Sequence, residues 1–180
     1  SPLFLMPRTR TARSRSLRAI SSTLSIKGAV GQIGTAVMVL APWDDPIPFR
    51  RSWCVWELYS TIATGAELVV ALAPEARAAF EKTLTTDFRK IMTAMSKVDA
   101  NHAEAFSADD KERIDRTIRG TVGFAELNNL IGERMREWLA ATGVALLKER
   151  ERRDEDAEGT NTLRNQLGML LQRQGKPAEA

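Results

Sequence analysis

Two short, valine-rich apolar runs bracket one amphipathic stretch, and this arrangement constrains the fold more than any other feature of the chain. Ala36-Val37-Met38-Val39-Leu40-Ala41 lies between Gly34 and Pro42, and Leu68-Val69-Val70-Ala71-Leu72 lies between Gly65 and Pro74. Continuous apolar runs of this length and composition predict strands covered on both faces, as in a parallel sheet. The residues between them read as a helix, with Ser52 as its N-cap and Gly65 as its stop. The expected unit is therefore strand, helix, strand, with a right-handed crossover.

At about 100° per residue the helix divides into two faces. Cys54, Val55, Leu58 and Ile62 are expected against the sheet, and Trp53, Trp56, Glu57 and Ser60 on the opposite side. Trp53 and Glu57 are four apart, hence neighbours near the helix N-terminus. That end lies just past the C-terminal end of the first strand, where open parallel sheets bind ligands. Spacing alone favours the indoles as packing residues, with Glu57 solvated or paired with Arg50 or Arg51, because aromatics at helical spacing usually pack.

The wording of the segment adds to this reading. Ser52-Trp53-Cys54-Val55-Trp56-Glu57-Leu58 after an apolar strand resembles the third-helix motif of Toll/interleukin-1 receptor (TIR) domains, particularly those of plant immune receptors. With Pro42-Trp43-Asp44-Asp45-Pro46 included, the string is similar to TIR-like regions of large algal and protist proteins, which are commonly followed by tetratricopeptide repeats of the kinesin light chain type. The resemblance spans roughly residues 30–75. In TIR domains that cleave NAD the glutamate of this motif is catalytic, so the resemblance implies Glu57 as the candidate catalytic residue. Trp43, Trp53, Trp56 and Ser60 are the ligand-adjacent candidates. Loss of nicotinamide leaves positive charge on the ribose, which a nearby carboxylate stabilises. The resemblance also calls for a first strand, a loop after the second strand and groups that clamp a dinucleotide. Residues 1–35 carry no convincing version of these, so the front half of the fold is expected to be missing.

Both ends read as cut from something longer. The chain starts at Ser1, and Arg8, Arg10, Arg13, Arg15, Arg18 and Lys27 accumulate with no acidic residue before Asp44. Such a start reads as a linker or the remainder of an upstream domain; an organellar transit peptide or a phosphate-touching arm are the alternatives. No aromatic residues interleave with these bases to form a stacking platform. Leu3-Phe4-Leu5-Met6 is too short for a signal-peptide core or a membrane span. At the other end, Asn165-Gln166-Leu167-Gly168 and Gln174-Gly175-Lys176-Pro177-Ala178-Glu179-Ala180 resemble the opening of a tetratricopeptide repeat. One amphipathic helix closed by Gly175 explains the apolar positions equally well.

Between these landmarks the chain reads as helical. Phe80, Leu84, Phe88, Ile91, Met92, Met95 and Val98 recur at steps of three and four and predict a single helix of about 20 residues. Ser107 with Asp110 three residues later reads as a capping box for a short helix carrying Ile114 and Ile118. A third helix is expected from Phe124 through Leu139, weakened at Gly132 and Gly143, with Leu146 and Leu147 as an extension. The mixed-charge string after Lys148 reads as a solvated surface or hinge. Gly28-Ala29-Val30-Gly31-Gln32-Ile33-Gly34 precedes a strand instead of following one. It is therefore a loop or helix end and not a phosphate cradle.

Composition sets outer limits. The net charge of +3 is concentrated before Trp43, and the remainder is slightly acidic, so a protein-wide nucleic-acid surface is not expected. One cysteine, Cys54, excludes an internal disulfide, and one histidine, His102, excludes a histidine-based metal cluster within the chain. Cys54 is expected on the core face and His102 in a polar surface turn.

Together these readings predict an α/β fold: a partial parallel sheet, TIR- or flavodoxin-like by the resemblance, followed by an α-helical region. The expected divisions are a basic segment at 1–30, disordered or incomplete, a TIR-like α/β fragment at 31–100, a helical extension at 101–155 and the start of a truncated tetratricopeptide repeat at 156–180. The expected function is that of a fragment of a multidomain signalling or scaffold protein of the cytoplasm. It would bind other proteins through helical repeats and through self-association, with no membrane contact, no metal and no cofactor. The alternative is an NAD-cleaving TIR-type glycohydrolase using Glu57, with NAD as substrate.

Overall fold

The computed structural model describes residues 23–153 and 157–174. The basic arm through Arg18 and the end of the repeat-like string from Gly175 lie outside the described residues. Helix α1 (Thr23–Ile33) leads into β1 (Thr35–Leu40), and a 3-10 turn (Ile47–Arg50) leads into α2 (Ser52–Thr64). Then follow β2 (Glu67–Leu72), α3 (Pro74–Thr86), α4 (Phe88–Met95), α5 (Ala108–Gly120), α6 (Phe124–Arg152) and α7 (Ala157–Arg173). The architecture is mixed α/β, mostly helical, with a small parallel sheet.

The strand-helix-strand unit forms where the apolar runs predict it. β1 and β2 pair in parallel, with Ala36 opposite Leu68 and Leu40 opposite Leu72. Gly65 ends α2 in the left-handed region, at φ 69°, and donates its N–H to the Ile62 carbonyl. A side chain there would be strained, which makes this glycine the stop signal.

Two local expectations are corrected. Ser52 is not the N-cap of α2; Arg51 occupies that position without a side-chain cap. The Ser52 N–H instead reaches the Glu104 carbonyl at 2.8 Å, and its hydroxyl donates to the Ala103 carbonyl at 2.8 Å. A distant loop thus satisfies the helix end, with an isolated parallel bridge between Arg51 and Glu104. The expected long helix over Phe80–Val98 is two helices, because Asp87 leaves helical geometry (φ −146°) and its carboxylate accepts the Lys90 N–H at 3.1 Å. A short polar side chain competing for backbone donors starts a new helix at that point. Residues 28–34 form the C-terminal part and the end of α1, the second of the two readings of that stretch.

Other local signals act as read. Ser107 caps α5 by accepting the Asp110 N–H at 3.2 Å. Pro74 opens α3 with a backbone angle suited to a helix start, and the N–H that proline lacks is one the first turn leaves unpaired in any case. α6 runs unbroken through Gly132 and Gly143. Gly143 has a positive role there: a Cβ at this position would lie 2.5 Å from Cδ2 of Leu167. The missing side chain is what lets α7 approach α6 closely.

The apolar side chains form one cluster. Met38 and Leu40 join Trp43, Phe80, Leu84, Ile91, Ile131, Met135 and Leu139, and Leu163, Leu167 and Leu170 of α7 close the same core. β1 alternates strictly: Met38 and Leu40 are buried, while Val37 and Val39 face out. The expectation of strands covered on both faces therefore fails among the described residues; one face of the sheet is covered and the other is bare.

Candidate functional site

The first turn and a half of α2 delivers Glu57 to the free edge of β1. Cys54, Glu57 and Thr61 stand at steps of three and four on one stripe of the helix. With Leu58 they wall a groove of about 260 Å³ whose other lining is Ala36, Val37, Met38 and Val39 of β1, Pro48 and Leu68. The groove runs beside the strand and not beyond its C-terminal tip, which corrects the expected placement.

Glu57 is a carboxylate with water on one side and an apolar strand edge on the other. Burial pushes its carboxyl pKa up, and the nearby Arg51 guanidinium pulls it partly back. The carboxylate itself makes no hydrogen bond or ion pair among the described residues, and the side-chain hydrogen bond that reaches this residue ends on its main-chain carbonyl. The Cys54 thiol next to it is also raised, first by burial and then by the Glu57 charge, with Arg51 and a backbone hydrogen bond opposing. A thiol held protonated is a poor nucleophile, consistent with its expected structural role. Thr61 spends its hydroxyl on the Glu57 main-chain carbonyl at 2.8 Å.

The two-face reading of α2 is corrected here. Glu57 sits with Cys54, not with the indoles, and the helix is covered on three sides. Trp56 is fully buried, its ring tilted against Tyr59 at 5.3 Å between centroids. Ser60 is buried, and its hydroxyl donates to the Trp56 carbonyl at 2.7 Å. Trp53 is half-buried under the Arg113 guanidinium, which lies 5.2 Å from its ring centre. Trp43 is buried edge-on to Phe80 at 5.5 Å, with the Lys90 ammonium 5.3 Å from its ring centre. None of these four ligand-adjacent candidates lines the Glu57 groove. Their indoles and hydroxyl are committed to packing and to cation–π contacts.

The groove lining from β1, Pro48, Cys54 and Thr61 was not singled out from sequence. The Cys54, Glu57, Thr61 stripe at steps of three and four is the sequence signal for it, but the two tryptophans give α2 a stronger apparent face elsewhere. His102 is where it was expected, on the surface, with Nδ1 2.7 Å from the Asp99 carboxylate. That pairing, with hydrogen bonds from the loop backbone, holds the Asp99 pKa down.

A larger cleft, about 1040 Å³, lies elsewhere, between α3 and the C-terminal half of α6. Its charged walls are largely satisfied within it: Arg77 pairs with Glu81 at 2.9 Å, and Arg153 pairs with Glu149. Among the described residues no group of three His, Cys, Asp or Glu side chains is placed to hold a metal ion. No described helix is long and apolar enough to cross a membrane. Compared with known proteins, the chain matches no family model, no curated protein and no solved structure.

Proposed function

We propose that this chain is an interaction module of a multidomain signalling or scaffold protein in the cytoplasm, a TIR-like, flavodoxin-like α/β unit joined to the start of helical repeats. It acts through protein–protein contacts, including self-association, without a cofactor. The observation that carries this reading is the bare sheet: Val37, Val39 and Val69 are 66%, 49% and 39% exposed on one face of two strands. Clustered exposed apolar side chains mark contact surfaces, whereas isolated ones do not. The groove at Glu57, at about 260 Å³, is also smaller than the roughly 300–1,000 Å³ of typical small-molecule sites.

The test is proximity labelling in cells expressing the whole protein. A defined set of neighbours, lost when Val37→Lys and Val39→Lys are introduced together, supports the reading; an unchanged set overturns it.

One observation favours a second reading, NAD cleavage at Glu57: the carboxylate is unpaired at the lip of a groove. Incubation with NAD and chromatographic detection of nicotinamide separates the two. Release that Glu57→Ala abolishes establishes the enzyme, and no release leaves interaction as the function.

A further inference from the structure

The free edge of β1 points to a specific kind of partner. We propose that it accepts an extended peptide segment as a further strand, with a lysine or arginine of that segment seated over Glu57. This deepens the interaction reading and rests on it.

The backbone supplies the first part of the case. Among the described residues the sheet is the β1–β2 pair alone, so the outer edge of β1 carries unpaired N–H and C=O groups. Folded proteins blunt exposed edges with proline, lysine, bulges or inward charges. Thr35-Ala36-Val37-Met38-Val39-Leu40 has none of these and pairs with β2 without a bulge. An edge left so receptive suits strand addition, in which main-chain hydrogen bonds supply affinity and alternate side chains supply selectivity. A helix laid on the bare face would cover Val37 and Val39 but leave the edge groups unpaired.

Charge supplies the second part. The ionisable groups lining the groove are Cys54 and Glu57, and the rest is apolar side chain, Thr61 and strand backbone. A segment lying along the edge therefore meets one negative charge in an apolar channel and is selected for one positive charge. The opposite edge of the sheet lacks that selectivity. Beside Val70, Ala71 and Leu72 the charges present are Arg77 and Glu81, already paired at 2.9 Å.

The same charge argues against a second copy as occupant of this edge. Antiparallel pairing of β1 with its counterpart across a two-fold axis puts both α2 helices on one side of the joined sheet. Two Glu57 carboxylates then face each other over the seam, and like charges in that position repel.

The test uses fluorescence anisotropy with a labelled synthetic peptide that alternates valine and threonine around one central lysine. Saturable binding to the protein is expected. Replacing the peptide lysine by glutamate, or introducing Glu57→Gln, should weaken it about tenfold, the loss expected of one charge-assisted hydrogen bond. Glu57→Lys should restore binding of the glutamate peptide. Glu57 is exposed, so these variants keep the fold, which far-UV circular dichroism checks. N-methylation of alternate peptide amides should abolish binding if the peptide adds as a strand. No saturable binding, equal affinity for the lysine and glutamate peptides, or indifference to N-methylation overturns the proposal. A dimer in sedimentation whose outward β1 amides are protected from hydrogen exchange without peptide, and lose that protection on dilution to monomer, also overturns it, by making a second copy the occupant of the edge. If the peptide fails while Val37→Lys with Val39→Lys still removes the neighbours found by proximity labelling, strand addition alone falls and the interaction reading stands.

Discussion

The sheet and the long helix α6 solve the same problem differently. Along α6, Leu127, Ile131, Met135 and Leu139 recur at four-residue steps and all are fully buried. Along β1, Val37 and Val39 are as apolar, yet they stand in solvent while Met38 and Leu40 between them are buried. A helix needs one cover for one stripe, and α6 finds it within the chain. A parallel strand needs covers on two faces and partners on two edges. Here one face and one edge partner are present among the described residues. Apolarity in sequence states that a cover is required; it does not state where the cover comes from.

That contrast is broken most severely by truncating a side chain the core depends on. Trp56→Ala should cost about 3–5 kcal/mol in a urea titration, whereas Val37→Ala should stay within about 0.5 kcal/mol. Similar losses at both positions would mean that the bare face is covered in solution. Next in size, Gly143→Val should cost about 1–3 kcal/mol by forcing a side chain against Leu167. Hydrogen exchange should report the damage first in α7; uniform loosening of the sheet as well would show that the two regions share one cooperative unit.

Smaller effects sharpen the boundary between the regions. Ser52→Ala removes the hydroxyl that holds the Ala103 carbonyl at the start of α2 and should cost about 1 kcal/mol. Its amide N–H to Glu104 remains, so exchange of that amide reports whether the loop stays docked.

The smallest effect is a slope. Glu57 has a raised pKa in the folded chain, so the folded state binds its proton more tightly than the unfolded state. Its contribution is fully present below the ordinary carboxylate value of about 4.3 and is lost as pH rises through the raised folded value. Glu57→Gln should flatten that decline in urea midpoints measured from acid to neutral pH. An unchanged slope would place the carboxylate in ordinary water.

What was legible before folding was local. The two strands, the stop at Gly65 and the cap at Ser107 each depend on a few adjacent residues, and each forms as read. The break at Asp87 was written in Thr85-Thr86-Asp87 but outvoted by an apolar period that runs across it. Placement of Trp56 and Ser60 was not legible, because helical spacing predicts faces but not how many of them will be covered. Three sides of α2 are enclosed, and only the stripe through Glu57 is left at the strand edge.

By itself, the sequence determined element type: valine-rich runs choose strands, periodic apolar stripes choose helices, and Gly65, Asp87 and Ser107 set ends through backbone geometry and short-range hydrogen bonds. Tertiary structure alone decided that residues 103–104 would close the N-terminus of α2, that Gly143 would admit Leu167, and that Glu57 would meet β1 and not the indoles. Those outcomes depend on residues far apart in the chain coming within contact distance, as with Ser52 and Ala103, 51 residues apart. No local pattern encodes such a meeting, because it is the packing of whole elements that brings it about.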